Sequence, residues 1–447
     1  MAVNEAGPAC PRLRADMVSL LEGRGAELRA ALNERTAGGR TDALSSLVRS
    51  CLKDAGLCVM GGALSYWDGV SYVPADRGDV LLTLSNVLAD AGAAASDVRR
   101  MGDMPLACAW DRVAEPDPGL VAFDDCVYDV RGGRRLAHDR SLPVTWRAGY
   151  ALGDDPKCPR WDSFLAEVLP DPSVRSCLQE FFGMCFVDRS RLSIEKMAVL
   201  IGGGANGKSV VLETVTAALG RERVGRLSPD QLADPKQAVS LMGKAANFAP
   251  DVRRGAAFDS ALKALASAQD VQGWQLYHGG VTFSCPPLAF ALNEMPEFRD
   301  LTDAFFRRLL VFRFGVTVDA GRQDRRLAAK LAATELPGVF MWMQEGRRRL
   351  VESGGRFTES AAMDAEIENL KMERRPSSPD PVEGWMRANG WSAMPLFDGQ
   401  TPAKVRASDV VSGIGGVSAG SVTRSMARLG VECARSAGTF YYLYKES

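Results

Sequence analysis

The sequence lacks several features that would place it quickly in a class. Its ten cysteines include no Cys-x-x-Cys pair, and only His138 and His278 could join them as nitrogen ligands. A structural zinc site is therefore not expected, and the cysteines read as reduced, buried thiols. Neither sign of charge is in excess: 54 Lys plus Arg stand against 55 Asp plus Glu, for a formal charge of -1. Any nucleic-acid contact must then come from local basic or polar surfaces and not from the molecule as a whole. No stretch reaches the ~18 continuous apolar residues of a membrane span, and Met1 to Arg12 lacks a basic region followed by an apolar run. The expectation is a soluble, cytoplasmic protein that is not exported, with no membrane partner. There is no internal repeat.

What is present is ordinary globular material. Apolar residues make up 46% and charged residues 24% of the 447. That composition can bury sizeable cores, and the length suggests about three domains. We expect a mixed α/β N-terminal domain over residues 1–153, a central domain with a helical lead-in over 154–375, and a linker with a small C-terminal domain over 376–447.

Apolar residues recur at helical spacing from Ala15 to Leu57, through Met17, Leu20, Leu21, Leu28, Leu32, Leu47 and Leu52. The period then changes. Leu64 to Val73 alternates around Asp68-Gly69, and Cys126 to Leu136 flanks Gly132-Gly133, so two β-hairpins are predicted. Asp154 to Arg160 carries turn formers, and Trp161, Phe164, Leu165, Val168 and Leu169 open a helix. A second helix is predicted over Val174 to Val187, and an apolar strand over Met197 to Ile201. Leu336 to Gly346 reads as a helix, with Arg347, Arg348 and Arg349 on a solvated face. The closely spaced prolines of Arg375 to Pro381 read as a linker.

Gly202-Gly-Gly-Ala-Asn-Gly-Lys-Ser209 fits the G-x-x-x-x-G-K-[ST] pattern, between a predicted strand and an apolar helix. Such a loop turns successive backbone N–H groups toward phosphates while the helix presents its positive end. Gly202, Gly203, Gly204, Ala205, Asn206, Gly207, Lys208, Ser209 and Val210 are therefore the candidate nucleotide contacts. Lys208 would reach the β- and γ-phosphates, and the Ser209 hydroxyl would ligate Mg²⁺. The partner carboxylate for Mg²⁺ is expected in Asp251, after Ala245 to Pro250, with Asp270 the alternative. Asn293, at the end of the apolar run Pro287 to Leu292, could orient an attacking water, although asparagine is also common in turns. Arg307 and Arg308 precede the apolar run Leu309 to Phe314. They suit either a structural salt bridge or an arginine donated to a neighbour's γ-phosphate.

This order of motifs resembles the superfamily 3 helicases of the AAA+ class, in the phage/plasmid primase-helicase group related to the poxvirus replicative helicase. The resemblance spans about residues 120–350. It rests on Cys158-Pro-Arg-Trp-Asp162, the P-loop with Asn before Gly-Lys-Ser, Asn293-Glu-Met-Pro296, the paired arginines, and Leu336-Pro-Gly338 followed by Trp342. It implies an α/β, AAA+ P-loop core using ATP and Mg²⁺, with Lys208, Asp251, Asn293 and one of Arg307 and Arg308, Arg308 favoured, as catalytic residues. Lys263 stands where the group often has lysine and would serve the nucleotide or a neighbouring subunit. Also implied are a homo-oligomeric ring, expected to be a hexamer, and translocation along single-stranded DNA. By the same resemblance a hairpin from Leu276 to Phe283 would project into the channel, turning at His278-Gly279-Gly280. Tyr277 and His278 would touch DNA there, where relatives carry lysine after Leu-Tyr.

No clustered carboxylates suited to a primase metal site occur in the first ~150 residues, so a separate primase is the expected partner. At the other end, Val405 to Val411 and Ser418 to Leu429 read as helices, and Val431 to Cys433 and Phe440 to Lys445 as strands. That order resembles a winged helix, with Ser421 to Arg428 as recognition helix and Arg424 and Arg428 toward DNA. The function implied is an ATP-dependent replicative helicase of a phage, plasmid or mobile element. The alternative is an origin-binding initiator that uses ATP only as an assembly switch.

Overall fold

The computed structural model describes residues 10–101, 109 and 113–445, apart from 205, 254–256, 259, 268–269, 276–278, 295–296, 299–301, 317–322, 374–380, 396–399, 416 and 437. It divides into two compact units, 1–364 and 365–447.

The first unit begins with helices Pro11–Gly23, Gly25–Leu32 and Ala37–Asp54, followed later by Arg77–Asp90 and Ala95–Arg100. Thr36 and Asp76 cap two of them, accepting the N–H groups of Gly39 and of Gly78 and Asp79. Of the residues at the predicted helical spacing, Met17, Leu21, Leu47 and Leu52 are buried in their core beside Leu13, Leu44, Val48 and Leu84, while Leu20, Leu28 and Leu32 pack partly buried against it. The first predicted hairpin is Ala63–Trp67 against Tyr72–Pro74. Asp68 Oδ1 accepts the N–H groups of Val70 and Ser71 at 2.8 Å, and Gly69 turns the chain at φ 99°. The second, Val127–Asp129 against Arg134–Leu136, turns at Gly133 with φ 63°.

That second hairpin belongs to a four-stranded sheet with the order Arg134–Leu136, Val127–Asp129, Leu120–Ala122, Trp146–Arg147. Side chains alternate across a strand, and here both faces are buried. Leu120 and Ala122 pack with Cys58, Met60, Trp67 and Tyr72 of the amino-terminal part. Val121 and Phe123 pack into the large core that also holds the P-loop strand. Trp146 Nε1 and Tyr150 Oη donate to the carbonyls of Leu219 and Ala218, at the far end of the P-loop helix. The boundary expected at residue 153 thus falls inside a shared core: the turn formers at 154–157 mark a change of direction, while the apolar faces continue across it.

The centre of the unit is a five-stranded sheet whose strands we number in chain order: β1 Met197–Ile201, β2 Val224–Gly225, β3 Ala246–Ala249, β4 Leu288–Leu292 and β5 Leu309–Arg313. They lie in the order β2-β3-β4-β1-β5, and every pairing is parallel. Helices cover a parallel sheet on both faces, so its strands are continuous apolar runs. All five residues of β1 and of β4 are buried.

The surrounding helices are α1 Pro159–Val168, α2 Pro172–Gly183, α3 Lys208–Leu219, α4 Leu327–Thr334 and α5 Leu336–Glu352. Glycine allows α2 and α5 to touch. A Cβ on Gly346 would stand 2.1 Å from the Gln179 carbonyl oxygen, and one on Gly183 would stand 2.2 Å from the Arg347 nitrogen. The two motifs Cys158 to Asp162 and Leu336 to Trp342 also meet. Glu335 accepts the backbone N–H groups of Arg160 at 3.1 Å and Trp161 at 2.9 Å, capping α1 from across the fold. Gly338 packs against the Lys157–Cys158 backbone, and Trp161 and Trp342 meet edge to face with centroids 5.4 Å apart. Of the three arginines, Arg348 is the solvated one, paired with Glu345 and Glu352, whereas Arg349 reaches the buried Glu180.

Within the second unit, helix Pro381–Ala388 and strand Trp391–Ser392 precede strand Ala403–Arg406, helices Ala407–Ile414 and Ala419–Arg428, and strands Cys433–Ser436 and Gly438–Lys445. Gly438–Lys445 pairs with the other three strands. Val405 and Arg406, expected in a helix, are strand residues, held by pairing to Tyr441 and Phe440. Their core contains Val382, Met386, Val410, Val422, Met426, Tyr441 and Leu443.

Candidate nucleotide-binding site

The strand β1 delivers the chain to Gly202, whose N–H donates to the Leu292 carbonyl at 3.3 Å. A side chain at Gly202 would sit 2.3 Å from the Phe314 carbonyl oxygen, so glycine is required for the loop to leave the sheet here. Asn206 is buried, and its Nδ2 donates to that same Phe314 oxygen at 3.1 Å, tying the loop to the end of β5. Gly207 turns at φ 93° into α3, and a Cβ at this position would stand 2.9 Å from the Phe164 ring of α1. Gly203 and Gly204 are exposed, with open space where a Cβ would be. Ala205 lies outside the described residues.

Lys208 opens α3 and is 6% exposed. Its Nζ donates to the carbonyls of Gly202 at 2.6 Å and Gly203 at 2.9 Å and to Asn206 Oδ1 at 2.9 Å. Burial lowers its pKa from the ordinary lysine value. The ammonium is therefore poised at the loop by neutral acceptors, with no carboxylate among these partners. Ser209, second in the helix, is exposed.

The neighbouring strands bring the other candidates to this edge. Leu292 pairs with Ile201, so Asn293 follows β4 beside the start of the loop, and it is exposed. Asp251 follows β3 by two residues and is exposed, while the next N–H, of Val252, donates to Ala291 at 3.2 Å. Three adjacent parallel strands thus end in Asp251, Asn293 and Gly202. Asp270 instead begins the hairpin Asp270–Gln275 against Gly279–Ser284, outside the five-stranded sheet. Lys263, in helix Ser260–Ala266, donates to Thr302 Oγ1 at 3.4 Å.

A cavity of about 430 Å³ opens beside Gly207, walled by Arg160, Phe164 and Glu167 of α1, by Val210 of α3, and by Asp324 and Leu327. Arg160 pairs with Asp324 at 2.8 Å, and Asp324 also holds Lys330 at 2.8 Å. Of these walls only Val210 was expected. Phe164 carried a signal, helical spacing just before a P-loop strand, but that spacing marks core and pocket alike.

The paired arginines occupy the opposite edge, where β5 begins. Arg308 is 8% exposed, with Nη2 2.8 Å from Glu195 and Nη1 donating to the Ala304 carbonyl at 2.6 Å. Arg307 has a side chain 65% exposed and lies 3.5 Å from Glu195. The two are unequal: one is built into the fold and the other faces outward.

The hairpin also differs from the expectation. Gly279 and Gly280 are strand residues paired with Gln275 and Trp274, so the connection is 276–278, and Tyr277 and His278 lie outside the described residues. Its base is fixed by Arg189, which is buried and donates to the carbonyls of Ala266 at 2.5 Å, before the hairpin, and Cys285 at 2.8 Å, after it. Nothing in the local sequence marks Arg189 for that task. In the second unit, Arg424 is exposed on helix Ala419–Arg428; the Arg428 side chain lies outside the described residues.

Residues 113–170 match the family described as D5 N terminal like, a segment that holds the two-faced sheet and α1. Over 208 residues the sequence is 26% identical to a putative helicase, L207/L206, of Acanthamoeba polyphaga mimivirus, covering 44% of this chain and 22% of that protein's length. Among solved structures, the apo A form of the NrS-1 C-terminal region aligns at a TM-score of 0.47 and 10% identity, over 90% of this chain and 99% of that one. A second apo structure of that region, residues 305–718, aligns at 0.44 and 10%, over 89% and 98%. The chain thus carries a D5 N-terminal-like segment ahead of β1, with α2 between them, and over 208 residues it is similar to a putative viral helicase.

Proposed function

We propose that the chain is an ATP- and Mg²⁺-dependent replicative DNA helicase of a phage, plasmid or mobile element, acting as a homo-oligomeric ring. One observation carries the reading: Gly202, Asn293 and Asp251 follow three adjacent strands of a parallel sheet whose order is β2-β3-β4-β1-β5. That order, with a strand between the P-loop strand and the acidic one, supports an AAA+ core. The donor set fits a magnesium nucleotide. Exposed Gly203 and Gly204 leave backbone accessible, Ser209 offers a hydroxyl at a helix N-terminus, and Asp251 is an exposed carboxylate. Bound there, the nucleotide would supply the phosphoanhydride to be cleaved.

In this reading Lys208 exchanges loop carbonyls for phosphate oxygens and neutralises charge that grows on them. Ser209 and Asp251 hold the metal, and Asn293 orients the attacking water. The cavity beside Gly207 takes the nucleoside. Exposed Arg307 is better suited than Arg308 to serve the site of a neighbouring copy, because Arg308 would have to leave Glu195. The hairpin held by Arg189 supplies the contact to the translocating strand, and the second unit acts as a winged helix toward an origin or a separate primase. Its order, helix, two strands, two helices and two strands, supports that reading.

Measuring ATP hydrolysis with and without single-stranded DNA, together with unwinding of a forked duplex, tests the proposal on wild type, Lys208→Ala and Arg307→Ala. Stimulation by DNA and unwinding by wild type alone are expected. Hydrolysis indifferent to DNA, with no strand separation, would remove the motor assignment. Assembly with ATP but no turnover would instead favour the initiator that uses ATP as an assembly switch.

A further inference from the structure

The second unit has a sheet with two unlike faces. Along Gly438–Lys445, Tyr441 and Leu443 are fully buried in the core, whereas Phe440, Tyr442 and Tyr444 alternate with them and remain partly exposed. The partner strand places Lys404 opposite Tyr442 and Arg406 opposite Phe440. Directly paired residues share a face, so two cations and three aromatic rings stand on one side. The cations already engage the ring beside them. Lys404 Nζ lies 4.3 Å and the Arg406 guanidinium carbon 5.8 Å from the centre of Phe440. Both side chains are exposed. The acid nearest in register is Glu432, whose carbonyl accepts the Tyr442 N–H at 3.0 Å on the edge away from Lys404.

We infer that this outer face binds single-stranded DNA by base stacking, a contact distinct from that of helix Ala419–Arg428. Aromatic residues two apart on a strand are spaced at roughly 7 Å, which gives each of several unstacked bases its own platform. Two cations on the adjacent strand answer the phosphates, and two of the three rings, Tyr442 and Tyr444, carry hydroxyls. That combination is the chemistry of sequence-tolerant single-strand recognition. The inference does not depend on ATP hydrolysis by the P-loop unit.

Fluorescence anisotropy of a short labelled oligothymidylate with the full chain, without nucleotide, tests it across a salt series. Tyr442→Ala/Tyr444→Ala should weaken binding by about 30-fold or more, from loss of stacking on two bases. Lys404→Gln/Arg406→Gln should lower the slope of log K against log salt by about 1.4, since each single-strand phosphate contact contributes roughly 0.7. Both pairs are on the outer face, so an unchanged thermal midpoint and unchanged DNA-free ATP hydrolysis establish that the variants are folded. Ultraviolet crosslinks should map to 438–445. Unchanged affinity and slope in both folded variants would overturn the assignment. So would a loss confined to duplex DNA, whose bases offer no free faces, or loss of self-association with single-strand affinity intact.

Discussion

Glu335 and Trp161, 174 residues apart in sequence, are joined by a 2.9 Å hydrogen bond from the Trp161 N–H to the Glu335 carboxylate. With the Arg160 N–H on its other oxygen, this carboxylate satisfies two of the donors that any helix leaves open at its start. The helix it caps then packs Phe164 and Val168 against Gly207 of the P-loop. Replacing Glu335 by Ala leaves two N–H groups without a partner near the core and should cost about 2–4 kcal/mol. Thermal denaturation would measure this. ATP affinity should fall with it, while Glu335→Gln, which keeps one acceptor, loses less. An Ala variant as stable as wild type would show that the cap is dispensable.

The two neighbouring arginines should separate cleanly. Arg308→Ala strands Glu195 at a partly buried position and should destabilise the chain by about 2 kcal/mol, less than a fully buried pair would because Glu195 is 32% exposed. Arg307→Ala should change stability by less than about 0.5 kcal/mol, as exposed substitutions do. If Arg307 serves a neighbouring site, its loss should nonetheless abolish hydrolysis. Mixing it with Lys208→Ala should then restore a fraction, through mixed interfaces that pair the intact loop of one variant with the intact arginine of the other.

Arg189 holds two carbonyls that flank the hairpin, and a third, of Ile194, at 3.2 Å. A lysine ammonium is a point donor and cannot reproduce the spread of a guanidinium. Arg189→Lys should therefore retain the fold with a loss of about 1–3 kcal/mol, while hydrogen exchange accelerates in 270–284 more than in β1. Equal acceleration in both segments would assign Arg189 to the core at large.

Asp125 accepts the N–H groups of Leu152 at 2.7 Å and Gly153 at 3.0 Å and pairs with Arg135 at 2.8 Å. Burial alone would raise its pKa, but these donors outweigh it and hold the carboxyl below the ordinary value. A depressed folded pKa contributes stability above the unfolded value, near 4, and the contribution disappears as pH falls through the folded one. Urea midpoints of wild type should drop across that acidic window. Asp125→Asn should start lower by about 1–2 kcal/mol at neutral pH and lose less on acidification. Parallel curves would exclude Asp125 as the source.

Where the sequence was legible, the information was local. A continuous apolar run, then glycines and Lys-Ser, define β1, the loop and α3 almost to the residue, because strand burial, positive φ and helix start each demand particular side chains. The hairpin at Asp68-Gly69 was legible for the same reason. What escaped depends on residues distant in sequence. The Glu335 cap, the Arg189 clamp and the Arg308–Glu195 pair each need a partner brought by the fold, and an isolated Glu or Arg looks alike on any surface. Short strands escaped too: at two residues each, Trp391–Ser392 and Trp146–Arg147 are too short to display a period. The glycines at 279 and 280 misled because a Gly-Gly pair suits a turn, yet here it lies in the return strand.

The sheet from Leu120 to Arg147 gives consecutive residues different allegiances, Leu120 and Ala122 to one core and Val121 and Phe123 to another. Such a sheet is a weld rather than a seam. If related proteins trade amino-terminal modules, an exchange cut near residue 153 would leave one apolar face of this sheet without its counterpart. A recombinant that keeps the D5-like segment with its P-loop and cuts before Val113 preserves the face packed toward the β1 core, and has only the other face to refit.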